Sequence, residues 1–224
     1  MGVTQVSKTL QAAGKTGGES AYFAELEKQG RALIKDFPDK DEPYQMLLMV
    51  AGNVEPDKAR EILKDLSGDK VPAEARERAK GLAKKLDMVG KPVEIKFKAL
   101  DGREVDLAAM KGKVVLIDFW ATWCPPCVAE MPNVKASYEK LHPKGFEIVG
   151  ISFDEDKGKL EEFVKTKEMA WPQFFDGKGW ENVFGQQYGI QSIPAMWLVD
   201  KKGNLVDLSA QGGLAEKVEK LLAE

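Results

Sequence analysis

The most informative part of the chain is residues 114–127, which read VVLIDFWATWCPPC. Residues 114–119 are apolar apart from Asp118, as expected for a strand of a parallel sheet that is covered on both faces. Two cysteines, Cys124 and Cys127, follow with two prolines between them. A C-x-x-C motif where a strand passes into a helix is typical of a thiol–disulfide redox site.

The spacing of the two cysteines gives the motif a mechanism. Two intervening residues place both sulfurs within disulfide reach across a first helical turn. Cys124 is expected at the helix N-terminus, where unpaired backbone N–H groups and the helix dipole favour a thiolate. Pro126 suits the first turn, where its missing N–H is not needed. We therefore predict that Cys124 attacks a disulfide and that Cys127, deeper and more buried, resolves the mixed disulfide.

Composition argues against several other kinds of site. The 224 residues include two cysteines and one histidine, His142, too few for a zinc finger or a multi-histidine metal site. A Ser-His-Asp triad, which would have to use His142, is also a poor fit. A haem-attachment motif would need histidine where the chain has Val128. The net charge of -3 gives no basis for nucleic-acid binding. We expect no metal and no cofactor. Inert core cysteines are the alternative, but they leave the two prolines unexplained.

Changes in the hydrophobic pattern divide the chain into three parts. Residues 1–17 are small and polar and are predicted to be a flexible lead-in. Residues 18–89 show helical spacing and predict a small all-α domain of about four helices. Residues 90–224 begin with a hairpin pattern and then alternate strands with helices. They predict an α/β domain whose sheet is parallel in its first part and mixed at its edge.

Two further predictions concern residues 171–188 of the α/β domain. A helix is expected around Trp180 to Tyr188. The aromatic side chains near the preceding strand are assigned to the core rather than to a cofactor site. They are Trp171, Phe174, Phe175 and Trp180.

Residues 118–127, DFWATWCPPC, resemble the thioredoxin superfamily, and specifically its bacterial TlpA/ResA-type branch. Residues 91–224 match the layout of that branch, whereas residues 1–90 lie outside the resemblance. The resemblance implies a thioredoxin-like fold, with a central mixed sheet, flanking helices and an added N-terminal β-hairpin, preceded here by the helical domain. It also implies a thiol-disulfide oxidoreductase that reduces protein disulfides.

The resemblance assigns roles to individual residues. Asp118 stands where thioredoxins keep a buried acid that relays a proton to or from the second cysteine. Glu130 corresponds to an acid that tunes the acidity of the cysteines. Ile193 and Pro194 match a dipeptide whose proline is cis and whose backbone pairs with an extended substrate segment. The substrate-binding surface is completed by Trp123, Pro125 and Pro126.

Each of these assignments has a simpler alternative. In the alternative, the side chain of Asp118 faces the strand end and solvent and has no role in the reaction. Glu130 would be an ordinary solvated helix residue, and Pro194 an ordinary trans proline at the start of a strand. Pro125 replaces the glycine of thioredoxin, and the sequence gives no redox potential for this pair of prolines.

The TlpA/ResA-type branch also implies partners and a location. Its members work outside the cytoplasm, often membrane-anchored, and reduce the disulfides of apo-cytochromes during cytochrome c maturation or those of other exported proteins. A membrane electron donor recharges them. We therefore expect the periplasm or the outer face of the cytoplasmic membrane, although the chain shows neither a signal-peptide pattern nor an apolar run long enough for a membrane helix.

Two other functions stay open at this point. A peroxiredoxin-like thiol peroxidase would share the fold, but the Pro-x-x-x-Thr pattern that precedes a peroxidatic cysteine is absent before Cys124. Alternatively, residues 18–89 form an interaction or assembly module that binds a partner, with the redox domain accessory to it.

Overall fold

The structure is a computed structural model that describes the backbone of residues 3–224 and the side chains of residue 18 and residues 20–224. Its contacts separate into two compact units, Met1–Asp87 and Met88–Glu224. The side chains of the predicted lead-in, residues 1–17, lie outside the described residues, and its flexibility stays a prediction. That residues 18–89 and residues 90–224 each fold independently, with these bounds, also stays a prediction.

The described residues of the first unit form an all-helical bundle. Its helices are α1 (Val3–Asp36), α2 (Glu42–Ala51), α3 (Pro56–Asp65) and α4 (Ala73–Leu86), and the backbone of α1 is non-helical at Gly18. Prolines occupy the first turns of α2 and α3, where a missing N–H is tolerated. The buried core includes Leu26, Tyr44, Leu47, Val50, Ile62, Leu63, Leu66 and Leu86.

The second unit begins with an antiparallel hairpin of two strands, β1 (Lys96–Lys98) and β2 (Glu104–Asp106). Gly102 lies in its turn with φ of 88°, a conformation that glycine adopts without a steric penalty. The hairpin forms a sheet of its own, separate from the main sheet. The added N-terminal hairpin implied by the resemblance is therefore present.

The main sheet has five strands in the order β5-β4-β3-β6-β7. The strands β3, β4 and β5 are parallel, and β6 and β7 run antiparallel to their neighbours. This arrangement confirms the predicted α/β fold with a mixed edge. The strands are β3 (Val114–Trp120), β4 (Phe146–Ser152), β5 (Gln173–Phe174), β6 (Ala195–Val199) and β7 (Leu205–Asp207).

Four helices flank the sheet: α5 (Pro125–Leu141), α6 (Lys157–Thr166), α7 (Val183–Gln187) and α8 (Leu214–Ala223). The prediction of one continuous helix from residue 180 to residue 188 is wrong, because a short 3-10 helix, Gly179–Glu181, precedes a separate α7. Buried Asn182 divides them. Its side-chain oxygen accepts hydrogen bonds from the backbone N–H groups of Phe184 and Gly185, both at 3.0 Å. A residue that caps a helix in this way has a non-helical backbone.

Strand β3 lies at the centre of the second unit. All seven of its residues are buried, and it pairs with β4 on one edge and with β6 on the other. This confirms that the apolar run at the start of the motif is a strand covered on both faces. Since the backbone of β3 is fixed on both edges, the residues that follow it, 121–124, leave the sheet at a defined place.

Replacing Ile117 by alanine in β3 is expected to lower the free energy of unfolding of the second unit by about 3 kcal/mol, because it leaves a cavity at a fully buried position. Ile117→Val should cost only about 1 kcal/mol. All five tryptophans lie in this unit, so urea unfolding followed by tryptophan fluorescence reports on it. Equal stabilities for both variants and the parent would contradict the assigned packing of β3.

Candidate redox site

Cys124 and Cys127 are joined in a disulfide, with a distance of 2.05 Å between the sulfurs and 5.3 Å between the Cα atoms. This is the pairing that the two-residue spacing predicts. The exposed fractions are 4% for Cys124 and 3% for Cys127, so the expected difference in burial between the two cysteines is wrong. Burial therefore does not distinguish the attacking sulfur from the resolving one.

The position of Cys124 at the start of α5 does distinguish the two sulfurs. Cys124 is the N-cap residue of this helix, and its sulfur accepts a hydrogen bond from the backbone N–H of Cys127 at 3.2 Å. Pro125 and Pro126 fill the first turn and have no N–H of their own to satisfy. A helix N-terminus stabilises negative charge by roughly 0.3–1 kcal/mol, and more where the site is partly buried. That stabilisation applies to a thiolate at position 124.

Asp118 is buried in β3, and the alternative in which it faces solvent is wrong. Burial raises the pKa of this carboxyl from 3.8 to about 7, and the nearby charge of Glu130 contributes in the same direction. Glu130 lies in α5, is partly exposed, and accepts a hydrogen bond from the side chain of Asn133 at 3.4 Å. Glu130 is thus close enough to Asp118 for its charge to raise the pKa of that carboxyl.

The peptide bond between Ile193 and Pro194 is cis, as the resemblance implies. The two residues immediately precede β6, whose first residue, Ala195, pairs with Phe119 near the end of β3. The cis-proline, just before β6, and the residues leading to Cys124, just after β3, therefore lie at the same end of these two paired strands. Ile193 and Pro194 are both partly exposed, which leaves them accessible to a partner.

Asp154 is a site residue that the sequence does not single out. Its buried carboxylate accepts a hydrogen bond from the backbone N–H of Thr122 at 3.1 Å, another from the Thr122 hydroxyl, and a third from the Ser152 hydroxyl at 2.8 Å. It thereby fastens the segment two residues before Cys124 to the end of β4. The only sequence signal is an acid two residues after an apolar strand, which is too common to identify it.

The prediction that Trp180 lies in the core is wrong. Its exposed fraction is 43%, and its ring lies 6.1 Å from the ring of Trp123, which is 51% exposed. Trp171, by contrast, is buried as expected. Apolar character alone could not show which of these tryptophans faces solvent.

Within the residues that the structure describes, no group of three or more histidine, cysteine, aspartate or glutamate side chains is arranged to hold a metal ion.

Comparison with known proteins agrees with this geometry. A family model described as Redoxin matches residues 66–222. The thiol-disulfide oxidoreductase ResA of Bacillus thuringiensis subsp. konkukian is 35% identical over 123 residues, which cover 55% of this chain and 69% of the relative. ResA of Halalkalibacterium halodurans is 30% identical over 123 residues, covering 55% of this chain and 68% of the relative.

A solved structure gives the same result for the fold. The thioredoxin domain of a thiol-disulfide oxidoreductase from Bacteroides vulgatus superimposes with a TM-score of 0.54 and 31% identity, covering 60% of this chain and 97% of that domain. The fold and the disulfide at a helix N-terminus define a thiol-disulfide oxidoreductase of the thioredoxin superfamily. The chain belongs to the Redoxin family and is of the TlpA/ResA type. Proteins of this kind act on protein disulfides.

Asp118→Asn is expected to change how stability depends on pH in the oxidised protein. The pKa of Asp118 is about 7 in the folded chain and near 3.8 when unfolded. Between these values the folded state holds a proton that the unfolded state has released, so the parent loses stability as pH rises through this range. Asparagine does not titrate. Relative to the parent, the variant should therefore gain stability from pH about 4 to about 7 and level off above.

Urea unfolding at constant ionic strength, followed by tryptophan fluorescence from pH 4 to pH 8, measures this difference. Glu130→Gln is the matched control, because removing its charge should lower the pKa of Asp118 and move the upper limit of the range to lower pH. Curves for the parent and Asp118→Asn that run parallel over the whole range would show that Asp118 titrates normally.

Proposed function

We propose that the protein is a reductase of protein disulfides in which Cys124 attacks and Cys127 resolves. The observation that carries this proposal is the N-cap position of Cys124, whose sulfur accepts a backbone N–H hydrogen bond within disulfide reach of Cys127. A thiolate is the reactive form of cysteine, and this is the position that favours it.

The reaction moves two electrons from the protein to the substrate. The Cys124 thiolate attacks one sulfur of a substrate disulfide, the substrate S–S bond breaks, and the other substrate sulfur leaves as a thiolate that takes up a proton. Cys127 then loses its proton and attacks the Cys124 sulfur. This step forms the disulfide between the two cysteines and releases the second substrate sulfur.

Asp118 is proposed to accept the proton of Cys127. A carboxyl whose pKa is raised to about 7 exchanges a proton readily near neutral pH, whereas one with an ordinary pKa would stay ionised. Glu130 is proposed to tune this exchange, because its charge raises the pKa of Asp118. Both are positioned by secondary structure, Asp118 by β3 and Glu130 by α5.

A substrate segment is proposed to bind beside the cis-proline in an extended conformation. The backbone of Ile193 lies just before the first paired residue of β6, where an added strand can pair with it. Pro125 and Pro126 are exposed between the two cysteines. With Trp123 they would give the substrate an apolar surface around a nearly buried sulfur.

The cellular setting is proposed from the resemblance to the TlpA/ResA-type branch. That resemblance supports a location in the periplasm or on the outer face of the cytoplasmic membrane, and recharging by a membrane electron donor. Among the residues that the structure describes, no helix has both the length and the apolar character needed to cross a membrane. Redox states of the two cysteines in host cells with and without the proposed donor would test the recharging step.

The helical residues 18–89 are proposed to contact a partner. The support is that they lie almost wholly within the compact unit Met1–Asp87, while the curated relatives and the solved domain cover only 55–60% of the chain. The residues that the proposed reaction uses, Cys124, Cys127, Asp118 and Glu130, all lie in the other unit, Met88–Glu224.

Cys127→Ser is expected to accumulate a mixed disulfide with a protein substrate such as insulin, because the attack by Cys124 is retained and the resolving sulfur is lost. Non-reducing gels and intact mass would show one adduct per chain. Cys124→Ser is the matched control and should give at least about tenfold less adduct, since its remaining cysteine lacks the N-cap position. Equal trapping by the two variants would reverse or remove the assigned roles.

Removing residues 1–87 tests the role of the helical unit. If this unit recognises a partner, the truncated protein should reduce insulin at the parent's rate but react more slowly with a substrate trapped from the host. Circular dichroism and thermal unfolding would first establish that the fragment is folded. Equal rate constants for the trapped substrate in both forms would exclude a recognition role.

A further inference from the structure

Apolar side chains are concentrated on the surface beside the redox motif. In the part of the chain that the structure describes, five large apolar side chains are exposed: Phe37, Met49, Trp123, Trp180 and Val183. Three of them lie in the motif or in residues 180–183. Exposed apolar side chains that occur together commonly mark a binding surface, whereas isolated ones need no explanation.

Trp123 and Trp180, hereafter the tryptophan pair, are fixed against the same residue. The ring of Trp180 lies edge-to-face on Phe153, with 5.2 Å between the ring centroids. The indole N–H of Trp123 donates a hydrogen bond to the carbonyl oxygen of Phe153 at 3.3 Å. Phe153, a buried residue that directly follows β4, therefore supports both tryptophans, and about half of the surface of each tryptophan is exposed.

The segment that carries Trp180 is also held in place. Gln186 donates a side-chain hydrogen bond to the carbonyl oxygen of Trp180 at 2.8 Å, and buried Asn182 donates one to the carbonyl oxygen of Ser152 at 2.9 Å. Gly179 has φ of 53°, and a Cβ at this position would lie 2.6 Å from the carboxylate of Glu155. The ring of Trp180 is thus presented on a backbone with little freedom left to lose when it binds a partner.

We propose that the tryptophan pair is the specificity surface of the enzyme and binds apolar side chains that flank the disulfide cysteine of a polypeptide substrate. The proposal rests on the proposed function. Trp123 directly precedes Cys124, so any segment that presents a sulfur to Cys124 must cover Trp123 and come to lie beside Trp180. Half-exposed, rigid aromatic rings provide large apolar contact at low entropic cost and dominate binding energy at protein interfaces.

The test uses the full-length reduced protein and two short peptides, each carrying one cysteine in a disulfide with 2-nitro-5-thiobenzoate. The peptides differ only at the residues next to the cysteine, which are leucine and phenylalanine in one and serine and glycine in the other. Release of the coloured thiol in single-turnover reactions gives a second-order rate constant for each. The measured quantity is the ratio of the apolar to the polar rate constant.

Trp180→Ala is expected to lower this ratio about tenfold, the effect of truncating an aromatic residue at the centre of an interface. Trp180→Phe should retain most of the ratio, because it keeps an aromatic ring against Phe153. Lys178→Ala is the control, since Lys178 is exposed on the same segment but offers no apolar surface. Its ratio should equal that of the parent.

A ratio in Trp180→Ala equal to that of the parent overturns the proposal. If both rate constants fall by the same factor, the ratio is also unchanged, and Trp180 then only supports the motif. If Trp180→Ala does not fold, Trp180→Gln makes the same comparison. A parent dimer in sedimentation that Trp180→Ala dissociates would assign the surface to a second copy of the chain and overturn the proposal. A parent protein that reduces neither peptide would instead refute the proposed function.

Discussion

The site depends on the confinement of β3. This strand is paired on both edges and covered on both faces, so the backbone has no freedom at the point where it leaves the sheet. Residues 121–124 follow at once, and α5 starts directly after them. Cys124 therefore falls at the N-terminus of a helix whose position is set by the core, and an N-terminus is the place where backbone N–H groups lack partners within the helix. The chemistry of the sulfur follows from that placement.

Two buried acids near the motif show how the same side chain can serve different purposes. Asp154 receives hydrogen bonds from Thr122 and Ser152, which compensate for the loss of water around its charge. It holds the loop before Cys124. Burial raises the pKa of Asp118 to about 7, because the charged form is poorly solvated there. Because hydrogen-bond donors surround Asp154, it can hold a segment in place. Because Asp118 is poorly solvated, it can exchange a proton near neutral pH.

Much of the second unit could be predicted from local pattern. The alternation before Gly102, the apolar run of β3 and the switches between strand and helix spacing all correspond to elements of the structure. The prediction failed where a tertiary contact overrides local spacing. The apolar spacing from residue 180 to 188 suits one helix, but Asn182 caps a separate one while its amide binds the carbonyl oxygen of Ser152. That contact joins residues thirty positions apart, and no local pattern contains it.

For the redox site, the sequence by itself determined the two cysteines, the prolines between them, the strand before them and the helix after them, because each depends on neighbouring residues and on backbone geometry. It also indicated Asp118 and Pro194 through the resemblance. Only the tertiary structure decided that Asp154 fastens the motif, that both sulfurs are equally buried and that Trp180 faces solvent beside Trp123. Burial and contact are properties of packed neighbours distant in the chain, so side-chain chemistry and spacing could not reveal them.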